Sequence, residues 1–240
     1  MITNQTLIIE HLSNWLAEYI KAAGRNVLVV GFRGTRADAL LLHICSKATE
    51  MYGGLSTHAL CISEKIKITK IFNGNTTYYT DPFFSNERYY LGCHDLADKN
   101  GIVIGPIDRT FGLYHRSYGK RSEGSADVFP LFDLEFSEIC QITNNLWPNE
   151  DWEDERFPIY KDQPSISNLE FANESEALYG IITSEYPPNH HPRWPYFVRD
   201  QKSIIAKVHS REKTTRHKIL TKPHPILSDK PQLICKRIGQ

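Results

Sequence analysis

Gly31, Arg33, Gly34, Thr35, Arg36 and Asp38 lie within eight consecutive positions, directly after the apolar run Val27 to Val30. Two glycines, two guanidinium groups, a hydroxyl and a carboxylate at this density suit the binding of phosphate. Glycine lets the backbone adopt positive φ or approach a ligand closely. A helix starting just after the bend would aim free N–H groups and the positive end of its dipole at one spot. Arginine adds bidentate recognition of phosphate oxygens. The same residues also suit a plain strand-to-helix connection without a ligand, in which Thr35 or Asp38 caps the helix. No catalytic residue can be picked out from this stretch alone.

The elements that must position these groups are readable around them. Val27 to Val30, mostly β-branched, fits the inside of a parallel sheet. Ala39, Leu40, Leu42, His43 and Lys47 then follow helical spacing. Upstream, Leu7 to Ala23 predicts an amphipathic helix, its stripe formed by Ile8, Leu12, Trp15, Leu16, Tyr19 and Ile20 and its end set by Gly24. Downstream, Leu55 to Ile62 predicts a strand, and Glu64 to Phe72 a strand or edge segment. Asn73-Gly74-Asn75 marks a turn. Thr76 to Ser85 reads as an aromatic loop, and Asn86 to Lys99 as a helix ended by Asn100-Gly101.

A second buried strand, Gly101 to Gly105, precedes a polar, aromatic and basic segment from Asp108 to Gly124. Open α/β sheets bind ligands at such strand ends. An ordered surface loop is the other reading. Phe136 to Leu146 predicts a helix with Ile139, Ile142 and Leu146 inward. The acidic, proline-bearing stretch 147–173 reads as a lid or surface loop, Asp200 to Arg211 as a helix, and 222–240 as an extended tail. The whole implies an α/β fold in one 240-residue domain: an open parallel sheet with helices on both faces, Rossmann-like.

Composition narrows the function. Lys plus Arg and Asp plus Glu both number 28, so net charge is zero, which argues against a general nucleic-acid binder. The five cysteines are scattered without a Cys-x-x-Cys pair, so zinc spacing is absent and a reducing cytoplasm is expected. Met1 to Thr6 is polar and does not read as a signal peptide. No apolar run approaches the roughly 18 residues of a membrane span.

Three blocks together resemble ammonia-dependent NAD synthetase, of the N-type ATP pyrophosphatase superfamily. The first runs from Leu7 to Leu42, where that family carries a Ser-Gly-Gly-x-Asp-Ser loop after its strand. The second joins Gly101-Ile-Val-Ile-Gly-Pro-Ile-Asp-Arg-Thr-Phe-Gly112 to Glu123-Gly-Ser-Ala-Asp-Val-Phe-Pro-Leu-Phe-Asp-Leu134. The third is Thr215-Arg-His-Lys218. Order and spacing agree along nearly the whole chain.

The resemblance implies adenylation of the carboxylate of nicotinate adenine dinucleotide by ATP with magnesium, then displacement of AMP by ammonia. It also implies a homodimer with the dinucleotide at the subunit interface. On the dinucleotide side it points to Arg88, Arg109, Asp127, His217 and Lys218, with Asp133 nearby.

The chain departs from that pattern where the chemistry would sit. The family's first loop serine aligns with Arg33, its second glycine with Thr35, its aspartate with Ala37 and its last serine with Asp38. One residue along a helix turns a side chain by about 100°, so Asp38 cannot simply replace the aspartate. A carboxylate there would compete with phosphate for the helix dipole. A metal-ligand glutamate aligns with Phe111 and a lysine with Phe136, and phenylalanine can neither ligate magnesium nor neutralise phosphate. No metal ligand is therefore assigned. Two functions follow as expectations: an amide ligase in which Arg33 and Arg36 replace the lost charges, or a catalytically degenerate nucleotide-binding or scaffolding relative.

Overall fold

A computed structural model describes residues 4–61, 76–80, 89–110, 123–150 and Trp152. The chain begins with helix α1 (Asn4–Ala22), whose predicted stripe is realised: Ile8, Leu12, Leu16 and Ile20 are buried, and Trp15 stacks on Tyr19. Gly24, at φ 65°, ends it. Its N–H donates to Lys21 O, and Arg25 N–H donates to Ile20 O, which is the paired closure of a left-handed helix stop.

Strand β1 (Val27–Phe32) leads into helix α2 (Arg36–Met51), then strand β2 (Ser56–Cys61). Strand β3 (Thr76–Thr80) and helix α3 (Tyr89–Ala97) come next. Strand β4 (Gly101–Ile104), a short 3-10 turn (Glu123–Ser125) and helix α4 (Phe136–Leu146) complete the described chain. The sheet order is β3-β2-β1-β4, with every pairing parallel. Val30 lies opposite Ile104, and Phe32 opposite Cys61.

Alternation along β1 sends its side chains to two cores. Leu28, Val30 and Phe32 pack with Ile102, Ile104, α1, α2 and α4 on one face. Val29 and Val103 pack with Tyr90, Cys93 and Ala97 of α3 on the other. Helices thus cover both faces, as the near-continuous apolar runs require. Helix α2 is buried almost all round because it lies between the sheet and the outer helices α1 and α4.

Two expectations are corrected. Thr76 to Thr80 is a strand, not loop. Its Thr and Tyr residues favour extended backbone, and pairing with β2 outweighs the aromatic, loop-like texture. Gly31 is a strand residue paired with Leu60, not part of the bend, and positive φ falls on Gly34 instead. The readings of Glu64 to Phe72, of Asp200 to Arg211 and of the tail 222–240 lie outside the described residues. No described helix is long and apolar enough to cross a membrane.

Candidate functional site

The strand order sets the location. The chain moves from β1 outward through β2 and β3, then returns to the opposite side of β1 for β4. The order reverses between β1 and β4, so the crevice at their carboxyl ends is the switch point where such sheets take ligands. The bend 33–35 and the segment after Ile104 both emerge there, as the two motif-bearing stretches require.

The bend is held by its own side chains. Gly34, at φ 90°, reverses the chain. Thr35 is the N-cap of α2, its hydroxyl accepting the Asp38 N–H at 3.2 Å. This decides between Thr35 and Asp38 as the cap. Asp38 folds back into the bend. Its carboxylate accepts the Arg33 main-chain N–H at 3.0 Å and the Arg33 guanidinium through Nη2 at 3.2 Å and Nε at 3.4 Å. The Asp38 side chain has no solvent exposure, while Arg33 keeps 22%. An anion therefore already sits at the start of α2, and the protein supplies it.

Arg36 points away from the bend. Its guanidinium donates to Thr143 Oγ1 at 3.2 Å and Asn144 Oδ1 at 2.5 Å on α4, and lies 5.8 Å from the centre of the Trp152 ring. Its charge ties the start of α2 to the end of α4. Ala37 is buried.

At the neighbouring strand end, Arg109 forms an ion pair with Asp133, and its main-chain N–H donates to Leu134 O at 2.8 Å. Thr110 Oγ1 accepts the Phe136 N–H at 2.9 Å, and Glu138 accepts the Glu135 N–H at 2.8 Å, so both serve the start of α4. Phe136 is buried beside Cys140. Asp127 works as an edge clasp. Its carboxylate accepts the Val103 N–H at 2.9 Å while its own N–H donates to Val103 O at 2.8 Å. Val128 continues this pairing against Ile104. Arg88, Phe111, His217 and Lys218 lie outside the described residues.

Sequence reasoning missed the aromatic group beside α2. His43 meets Trp147 edge-on at 5.6 Å, and Trp147 meets Trp152 at the same separation. Burial, with Lys47 adding to it, lowers the His43 pKa to about 4, so this ring is neutral. Only the tryptophan spacing after Leu146 hinted at this, and the acidic residues around it obscured the signal. On α3, burial pushes the Cys93 thiol up to about 12. Arg33 opposes that shift and Asp38 adds to it, so this thiol senses the charge pair of the bend.

The resemblance of the sequence blocks implies ATP and magnesium, and the described residues of the bend do not fit them. The Arg33 N–H and guanidinium are engaged by Asp38, position 37 offers no ligand, and Phe136 is sequestered. Among the described residues, no group of three or more His, Cys, Asp or Glu is placed to hold a metal ion.

No family model and no curated protein matches the chain by sequence. Solved structures do. An NH3-dependent NAD synthetase from Campylobacter jejuni, in complex with nitrate, superposes at TM-score 0.60 with 16% identity, covering 94% of this chain and 100% of its own. NMN synthetase from Francisella tularensis gives 0.59 and 16%, covering 94% and 99%. NAD+ synthetase from Burkholderia pseudomallei gives 0.55 and 13%, covering 92% and 91%. This likeness establishes the fold, an open parallel α/β sheet shared with NAD synthetases, in agreement with the resemblance of the sequence blocks.

Proposed function

We propose that this chain is a non-catalytic relative of the NAD synthetases, one that keeps the nucleotide-type scaffold and fills its phosphate-facing bend with its own carboxylate. One observation carries the reading: the loop N–H and guanidinium that would meet a leaving pyrophosphate are bonded to Asp38. Ala37 and the buried Phe136 support it, since charge neutralisation on a leaving group needs preorganised donors or metal at those places. Losing one such donor costs about 3 kcal/mol in the transition state, and losing several leaves little turnover.

A second reading is favoured by the position of the bend at the switch point with Gly34 in left-handed conformation. In that reading the chain is a carbon–nitrogen ligase that uses ATP to adenylate nicotinate adenine dinucleotide or a related acid, with ammonia completing the amide. A cytoplasmic homodimer belongs to both readings, and light scattering tests the dimer.

The deciding assay combines the protein with ATP, magnesium, ammonia and the dinucleotide or mononucleotide acid. The first reading expects no pyrophosphate above the protein-free blank, and no tight ATP–magnesium binding by calorimetry. Pyrophosphate release that scales with protein concentration overturns it in favour of the ligase.

A further inference from the structure

We infer that the hydroxyls of Thr57, Thr76 and Tyr78 share one buried water molecule, a neutral interior site that fastens β3 to the sheet. The site is separate from the bend. Thr57 stands opposite Leu28, near the amino end of β1, whereas the bend follows Phe32 at the other end of that strand.

The register brings the three side chains together. Thr57 of β2 pairs with Thr76 of β3, and Ala59 pairs with Tyr78. Paired residues of neighbouring strands share a face of the sheet, as do residues two apart along one strand. Thr57, Thr76 and Tyr78 therefore stand on one face. It is the face of the core that α1 and α2 cover, which takes in Ala59 and against which Tyr78 packs. Neighbouring strands run about 4.8 Å apart. One water placed about 2.8 Å from each oxygen spans that gap.

Thr57 is fully buried. The Thr57 Oγ1, Thr76 Oγ1 and Tyr78 Oη atoms are all shut off from solvent, and none has a hydrogen-bond partner among the described residues. A single buried hydroxyl left in that condition carries a desolvation penalty that folded chains rarely bear. Three of them on one face match the roughly three partners that a buried water takes. The acidity of Tyr78 reports how close they are. Burial raises the phenol pKa, Cys61 adds to the rise, and the Thr76 hydroxyl opposes it. The Thr76 and Tyr78 oxygens are thus near each other without bonding directly. No cation or carboxylate acts on the phenol, and burial keeps the Cys61 thiol protonated. Such surroundings suit a neutral guest over an ion. Water meets the demand of all three groups: the phenol donates to it, and it donates to both threonine oxygens.

Two experiments test the site. A high-resolution crystal structure of the full wild-type chain should show a water within about 3.2 Å of all three oxygens. Direct bonds among the hydroxyls, or a packed face with no water between them, overturn the inference. The second experiment is a double-mutant cycle of Thr57→Val and Tyr78→Phe, each of which removes an oxygen and keeps the shape of the side chain. Each single variant should lower the urea midpoint by about 0.5 M, because the water and the remaining hydroxyls lose a partner. The double variant should fall by clearly less than the sum, since both changes break one shared arrangement. Hydroxyls that hold no water predict the opposite sign, because deleting an unsatisfied group relieves its penalty. A raised midpoint in either single variant therefore overturns the inference, as do strictly additive losses. If a variant fails to fold, the wild-type crystal structure decides alone.

Discussion

A carboxylate without water contact must be neutralised by its neighbours or it destabilises the fold. For Asp38 the neutralising group is Arg33, and the pair is asymmetric because only the arginine reaches solvent. Arg33→Met strands a buried charge and is expected to cost about 3 kcal/mol. Asp38→Asn leaves an acceptor for the main-chain N–H and a guanidinium that water can solvate, and should cost about 1 kcal/mol. Urea midpoints at unchanged slope check the difference. His43 makes a second prediction at this scale. Its folded pKa of about 4 lies below the ordinary 6.5. Between those values the unfolded chain binds a proton that the folded chain refuses, so stability falls as pH drops through that window. The loss should reach about 2–3 kcal/mol by pH 4. His43→Phe, which keeps a ring against Trp147, should flatten that part of the pH–stability curve.

Single elements show where sequence patterns suffice and where they fail. The α1, β1, α2, β4 and α4 segments were legible because apolar spacing and glycine punctuation both pointed to them. The β3 segment was not, since Thr76 to Thr80 lacks an apolar alternation and gains strand character only by pairing with β2. The bend was legible as a bend, but its contents were not. Whether Asp38 faces solvent, a ligand or Arg33 depends on the reversal at Gly34, which composition does not encode. Sequence likewise marked Asp127 and Arg109 as candidates by alignment alone, and each proves to hold backbone or a neighbouring charge. Gly105 makes the element-level prediction. A methyl group there would stand 2.6 Å from Phe129 Cδ1 and 2.8 Å from the Ala126 methyl, so β4 could not keep its seat under that ring. Gly105→Ala should cost about 2–3 kcal/mol. Combining it with Phe129→Leu should recover part of the loss in a double-mutant cycle followed by thermal unfolding.

At the scale of the whole sheet, the four described cysteines are shielded. Cys45, Cys61, Cys93 and Cys140 are all buried, Cys45 and Cys61 in the core on one face of the sheet, Cys93 in the core on the other and Cys140 beside Phe136, and burial raises the Cys61 and Cys93 thiols to about 12. The thiolate is the reactive form, so these groups stay inert while the fold is intact. Labelling by a disulfide reagent at neutral pH should leave all four unmodified in the native protein. They should become available together on unfolding, at a rate that follows the loss of helical signal. Early reaction at Cys61 or Cys93 alone would indicate that the sheet opens locally at its carboxyl end.

The clasp at Asp127 has a consequence for how this protein meets its own copies. An open sheet normally exposes unpaired donors along its outermost strand, and these can template the addition of a foreign strand. Here the Val103 N–H is taken by a side-chain carboxylate and the Gly105 N–H by Val128 O. Among the described residues these two rungs beyond β4 are already taken, so a foreign strand adding at that flank finds neither donor available.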